Sequence, residues 1–212
     1  MRRPVLPVAG NRVTPIARRR TIAVLTGLAA SPVHGHLVET GFGAFYDGLA
    51  HVAVTPADLL VVVAIALLAG QRGRDAARLA LFALPVAWFA GGLVGARWPE
   101  ATAWPLWTTL TFAVAGSLVA LNARIRDVGV AALAIAAGLL HGLVNGATMV
   151  PGGSVGLALA GAVCAIFFLT AILAAEVTAL PAGWPRIVVR VAGSWIAASG
   201  LLMFGWLVRA AG

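Results

Sequence analysis

Side chains able to hold a metal ion are scarce in this chain, and they are not evenly spread. Three of the four histidines, His34, His36 and His51, lie in residues 34–58 together with three of the seven acids, Glu39, Asp47 and Asp58. His34 and His36 form an H-x-H pair, and neutral imidazole suits Ni, Co, Cu and Zn. His51 precedes Asp58 by seven residues, and Asp47 precedes His51 by one helical turn. The fourth histidine, His141, has Asn145 at i+4 and Thr148 at i+7, so the three share one helix face. Two ligands at i and i+4 can reach one ion. Plainer readings stand beside these. The H-x-H pair suits a solvated linker. Thr55-Pro56-Ala57-Asp58 looks like a helix start, with Thr as N-cap, Pro at N1 and an acid at N3. A lone His141 suits hydrogen-bonded packing.

Three further features carry less. Glu176 and Arg190 lie near the cytoplasmic ends of apolar runs, where they could pair or snorkel, with a role at an inner gate as the alternative. Residues 152–156 match G-x-S-x-G, but they follow Pro151 in a loop that opens an apolar run. A hydrolase needs a strand–turn–helix at that motif, so Ser154 reads as an N-cap and an intramembrane serine protease is a distant third reading. Cys164 is the single cysteine, which rules out a disulfide framework or a CxxC metal site and suits a small core residue.

The elements that must position these residues are apolar. Hydrophobic residues make up 61% of the 212, charged residues 10%, and mean hydropathy is +0.97. Soluble domains carry roughly a quarter charged residues, so composition points to a polytopic membrane protein whose partner is the lipid bilayer. Residues 1–20 hold six arginines and three prolines without periodicity. A short apolar stretch and the small residues Ala29, Ala30 and Ser31 follow. Residues 1–31 therefore read as a basic tail with a signal-like or anchor segment, and 32–212 as the membrane domain. Residues 41–54 are Gly-rich and too short to span, which suggests an interfacial or re-entrant helix. Six longer runs follow at about 56–71, 77–96, 103–122, 128–149, 154–178 and 187–208. The expected fold is all-α, a bundle of six transmembrane helices.

The net charge of +8 comes from arginine alone, since the chain has no lysine. Arg72, Arg74, Arg78, Arg124, Arg126, Arg186 and Arg190 cluster in alternate loops. That pattern follows the positive-inside rule and excludes nucleic-acid binding. The opposite side holds residues 32–54, 97–102 and 150–153. Trp98, Trp104, Trp107, Trp184 and Trp206 fall near the interfaces. Gly41, Gly43, Gly91, Gly92, Gly95, Gly142, Gly146, Gly156, Gly161 and Gly200 are candidates for close helix contacts.

Four stretches together resemble the HupE/UreJ family, small bacterial membrane proteins associated with nickel and cobalt uptake. They are GFGAFYDGLAH leading into PADLLVVVAIALLAGQRG, HGLVNGA, and RVAGSWIAASGLL. The similarity covers most of residues 30–210 and includes the signal-like N-terminus followed by an exposed histidine. Better-known members look like H-P-x-x-x-x-D-H-L-L at the first helix. Here His51 is kept, Ala57 stands at the acid and Asp58 at the second histidine. Their H-G-x-x-H-G-x-E becomes His141, Gly142, Asn145 for the second histidine and Thr148 for the acid. With two imidazoles replaced by oxygen or amide donors, a site here is expected to bind soft divalent metals less strongly. The resemblance implies transmembrane transport of Ni²⁺ or Co²⁺ in a bacterial inner membrane. His34 and His36 would collect the ion, and His51, Asp58, His141 and Asn145 would pass it inward. The chain carries no Walker A motif, and neither an enzymatic activity nor a resident cofactor is expected. Homo-oligomerisation is left open. The alternative is a non-transporting accessory or assembly protein whose polar residues serve as caps and packing.

Overall fold

The computed structural model describes residues 40–211 apart from 151–152. His34, His36 and the 1–31 segment lie outside them. The described residues form seven α-helices and no strand, in keeping with the all-α expectation. They are α1 (Ala44–Val54), α2 (Pro56–Arg72), α3 (Arg74–Gly95), α4 (Pro105–Ala120), α5 (Asp127–Met149), α6 (Val155–Ala179) and α7 (Trp184–Ala211), with a 3₁₀ turn at Pro99–Ala103 before α4.

The local sequence explains where helices break. Pro56 disfavours helical geometry in the residue before it, and Thr55 is extended, with φ −94° and ψ 102°. Pro56 then takes the first position of α2, where its missing N–H costs nothing. The axes of α1 and α2 differ by 75° across this one-residue break. The short helix expected within 41–54 is therefore a separate element. Gly73, at φ 115°, separates α2 from α3 in the same abrupt way, in a region that strains any side chain. Asn122, at φ 48°, ends α4 in a Schellman motif: its N–H bonds to Val119 O and that of Ala123 to Leu118 O.

The middle of the bundle is α2. Val61, Val62, Ala64, Ile65, Ala66, Leu68 and Ala69 are fully buried, as expected of a helix that is apolar all round. It packs against α3, α4, α5 and α6, while α3 pairs closely with α5, α4 with α7, and α1 with α6. Small residues let backbones touch. A Cβ added at Gly142 would overlap the Trp88 carbonyl, one at Gly91 the Leu139 carbonyl, and one at Gly161 the Phe45 carbonyl. Gly92, Gly95, Gly146 and Gly200 are similarly crowded. Gly41, Gly43 and Gly156 are not, and the expectation of close contacts at those three fails because open space lies beside them. The outer surface is apolar, as at Trp195, Leu202 and Trp206 on α7, which suits a hydrocarbon surround.

All six expected runs are helical, but they are not six equal spans. Among the described residues four helices, α3, α5, α6 and α7, are long and apolar enough to cross a membrane, and α1 with α2 makes a fifth if the bent pair is one span. The helix in the 103–122 run is only 16 residues, Pro105–Ala120. The 3₁₀ turn and Pro105 delay its start, and Asn122 stops it early.

Candidate functional site

Asp58 is the hub of a buried polar cluster at the α1–α2 break. As the third residue of α2 it sits at the positive end of that helix. It does not act as a capping-box acid. The α2 N-cap has no side-chain hydrogen bond, and both carboxylate oxygens turn across the bundle to α5. His141 Nδ1 is 2.7 Å from Oδ1, and Asn145 Nδ2 donates to Oδ2 at 2.8 Å. One helical turn separates His141 from Asn145, so a single face of α5 presents both donors. Exposure is 3% for Asp58, 0% for His141 and 2% for Asn145.

Two further helices complete the cluster. Trp88 of α3 is fully buried, its ring centre 5.2 Å from that of His141, and its Nε1 donates to Asn145 Oδ1 at 3.3 Å. From α4, Thr111 Oγ1 lies 2.8 Å from His141 Nε2. Sequence reasoning missed both residues. Trp88 did carry a signal, since it lies in the middle of an apolar run and a buried indole N–H seeks an acceptor. Thr111 carried little, because a threonine in an apolar helix usually bonds its own backbone. Thr111 does that too, donating to Thr108 O at 2.7 Å.

His51 stands at the edge of the hub. Its Nε2 is 3.7 Å from Asp58 Oδ2, too far for a hydrogen bond. Its Nδ1 is buried without a partner. Two other sequence candidates lie apart. Asp47 accepts from both Thr40 N and Thr40 Oγ1 and so pins the start of α1 rather than joining His51. Thr148 donates to Asn145 O, half-exposed, and does not reach Asp58.

The arrangement thus brings together His51, Asp58, His141 and Asn145. Among the described residues no three His, Cys, Asp or Glu side chains are spaced as a metal centre. The reason lies in the hydrogen bonds: Asp58 and His141 face each other instead of a shared point. The cluster also has freedom in its protons. Thr111 has one hydroxyl proton and two acceptors in reach. If it serves His141 Nε2, a neutral imidazole can donate Nδ1–H to an ionised Asp58. If it serves Thr108 O, Nε2 must itself donate, and the Asp58–His141 pair holds one more proton. The Thr111–His141 and His141–Asp58 contacts persist in both states, and only the Thr111 bond to Thr108 O is made in one and broken in the other.

Two other expectations meet the structure here. Ser154 occupies the N-cap position of α6 but makes no side-chain cap bond. Both nitrogens of His141 are engaged elsewhere, and among the described residues no histidine is bonded to Ser154, so the described structure lends the protease reading no support. Glu176 and Arg190 are both exposed, and no ion pair joins them among the described residues.

A membrane-type helical bundle with a buried carboxylate hub at a broken helix is the class these features define. The family model described as HupE / UreJ protein matches residues 22–203. The chain belongs to that family, which is associated with nickel and cobalt uptake. Searches of curated proteins and of solved structures returned no match.

Proposed function

We propose that this protein carries a divalent transition-metal ion, nickel or cobalt, across a bacterial inner membrane as a multi-pass transporter. One observation supports this most. Asp58 is a buried carboxylate whose hydrogen-bond partners are an imidazole and an amide, and among the described residues no arginine pairs with it. A buried charge without a fixed countercharge is costly, and an exchangeable cation would offset that cost. Broken helices at buried ion sites are a recurring transporter device, and the α1–α2 break lies beside Asp58.

The working site is His51, Asp58, His141 and Asn145, with His34 and His36 collecting ions outside. His51 supplies the first inner ligand, because its Nδ1 is not yet committed. The ion then replaces His141 and Asn145 as the partner of Asp58, and His141 turns a nitrogen toward it. The Arg-rich loops face the cytoplasm. Accumulation of Ni²⁺ or Co²⁺ by cells expressing the protein tests the reading. Wild type should accumulate the ion, and Asp58→Ala and His141→Ala, at matched membrane levels, should not. Uptake that is absent in wild type, or unchanged in both variants, rejects it.

A second reading draws on the same bonds. Every polar atom of Asp58 and His141 already has a partner, as a purely structural network would. On that reading the protein is a non-transporting accessory of metalloenzyme assembly, and both variants lose stability rather than uptake.

A further inference from the structure

A second polar site lies at the opposite, Arg-rich end of the bundle. Asp58 and Arg72 are fourteen residues apart on α2, a rise of about 21 Å. Around Arg72 a cavity of about 260 Å³ is lined by Gln71, Arg72, Asn122, Arg186 and Arg190, with Gly70, Gly73, Val177, Thr178 and Val189 completing its wall. None of its lining residues is acidic.

Loop placement under the positive-inside rule accounts for arginines at this end. It does not account for three of them converging on one cavity from two helices that are remote in sequence. Nor are they left to drift in solvent. Arg72 Nη2 donates to Asn122 Oδ1, Arg190 Nε to Ala120 O at 2.9 Å, and Arg186 Nη2 to Leu180 O at 3.4 Å. Every one of these anchors is neutral. They tether the guanidinium groups, those of Arg186 and Arg190 on exposed residues, and among the described residues no acidic side chain pairs with any of the three. A guanidinium has five donors, so each retains N–H groups for an occupant. The left-handed turn at Asn122 that ends α4 is what brings its amide to Arg72.

We propose that this cavity is a phosphate-binding site, with Arg72, Arg186 and Arg190 donating to the oxygens of a phosphate group. Planar guanidinium groups match phosphate geometry better than any other side chain. A basic pocket between helices at the membrane surface suits the phosphodiester of an anionic lipid. The same three donors would also take inorganic phosphate from solution. The proposal does not depend on the metal site.

Thermal unfolding of the full-length protein in neutral detergent tests it, with three additions compared at matched ionic strength: phosphatidylglycerol, phosphatidylcholine and inorganic phosphate. Phosphatidylglycerol or inorganic phosphate should raise the unfolding midpoint in a saturable way, and phosphatidylcholine should not. A response to inorganic phosphate without lipid assigns a soluble ligand, and a response to phosphatidylglycerol alone assigns a headgroup. The pair Arg186→Gln and Arg190→Gln should weaken the apparent affinity about tenfold or more, as expected when charge-assisted contacts are lost. Arg74→Gln with Arg78→Gln removes the same charge at the same end but outside the cavity, and should leave the affinity unchanged. If the first pair does not fold, Arg186→Gln alone, which among the described residues loses a long carbonyl contact, gives the same comparison with native mass spectrometry of bound lipid as the readout. Absence of any shift, or equal loss in both pairs, overturns the proposal.

Discussion

At the scale of single residues, the account turns on what Asp58 holds. Its carboxylate ties α2 to α5 through His141 and Asn145 in a space sealed from solvent. Removing it strands two buried donors, each costing about 1–3 kcal/mol when unpaired. Asp58→Ala should therefore lower stability by about 2–6 kcal/mol in reversible unfolding, whereas Thr111→Val, which strands one buried nitrogen of His141 instead of two groups, should cost about half as much, about 1–3 kcal/mol. Equal losses would mean that Asp58 is not the hub. The proton between Asp58 and His141 also sets a sign for pH. A metal that ligates both must displace it, so metal binding releases protons and weakens as pH falls. Titration calorimetry in buffers of different ionisation heat should report proton release, and binding that strengthens on acidification would contradict the site.

At the scale of helices, breaks and close contacts carry the design. The break before Pro56 was readable in the sequence, because a proline restricts its predecessor in any setting. The face shared by His141 and Asn145 was readable too, from helical spacing alone. That Asp58 would turn from its own helix start toward that face was not, since Thr55-Pro56-Ala57-Asp58 satisfies a local rule equally well. Tertiary hydrogen bonds decided it. Trp88 and Thr111 were hidden for the same reason: their roles exist only once α3 and α4 pack beside α5. Glycine shows the limit most clearly. Gly142 and Gly156 look alike in sequence, yet one abuts the Trp88 backbone and the other faces open space. Gly142→Ala should destabilise by about 1–3 kcal/mol through overpacking. Gly156→Ala should be neutral or stabilise by up to ~1 kcal/mol through helix propensity. Unfolding midpoints of the two variants check the contrast, and identical effects would mean that α3 and α5 are not in backbone contact.

At the scale of the whole molecule, two polar regions occupy opposite ends of an apolar bundle. One is a carboxylate hub at the α1–α2 break, and the other a set of arginines at the far end of α2. Composition and alternate-loop charge made this polarity legible, whereas the bent α1–α2 pair and the short α4 blurred the number of spans. The proposed orientation has a direct check. In a Cys164→Ala background, Glu100→Cys should react with an impermeant thiol reagent added to intact cells, and Arg74→Cys should react only after lysis. The reverse pattern would invert the topology. The central claim, that Asp58 passes a metal ion through the bundle, is tested most directly by influx of Ni²⁺ and Co²⁺ into proteoliposomes. Wild type should fill the vesicles faster than protein-free controls, and Asp58→Asn, which keeps the shape and removes the charge, should fall to the control rate while remaining folded. Influx by folded Asp58→Asn at the wild-type rate would contradict the account.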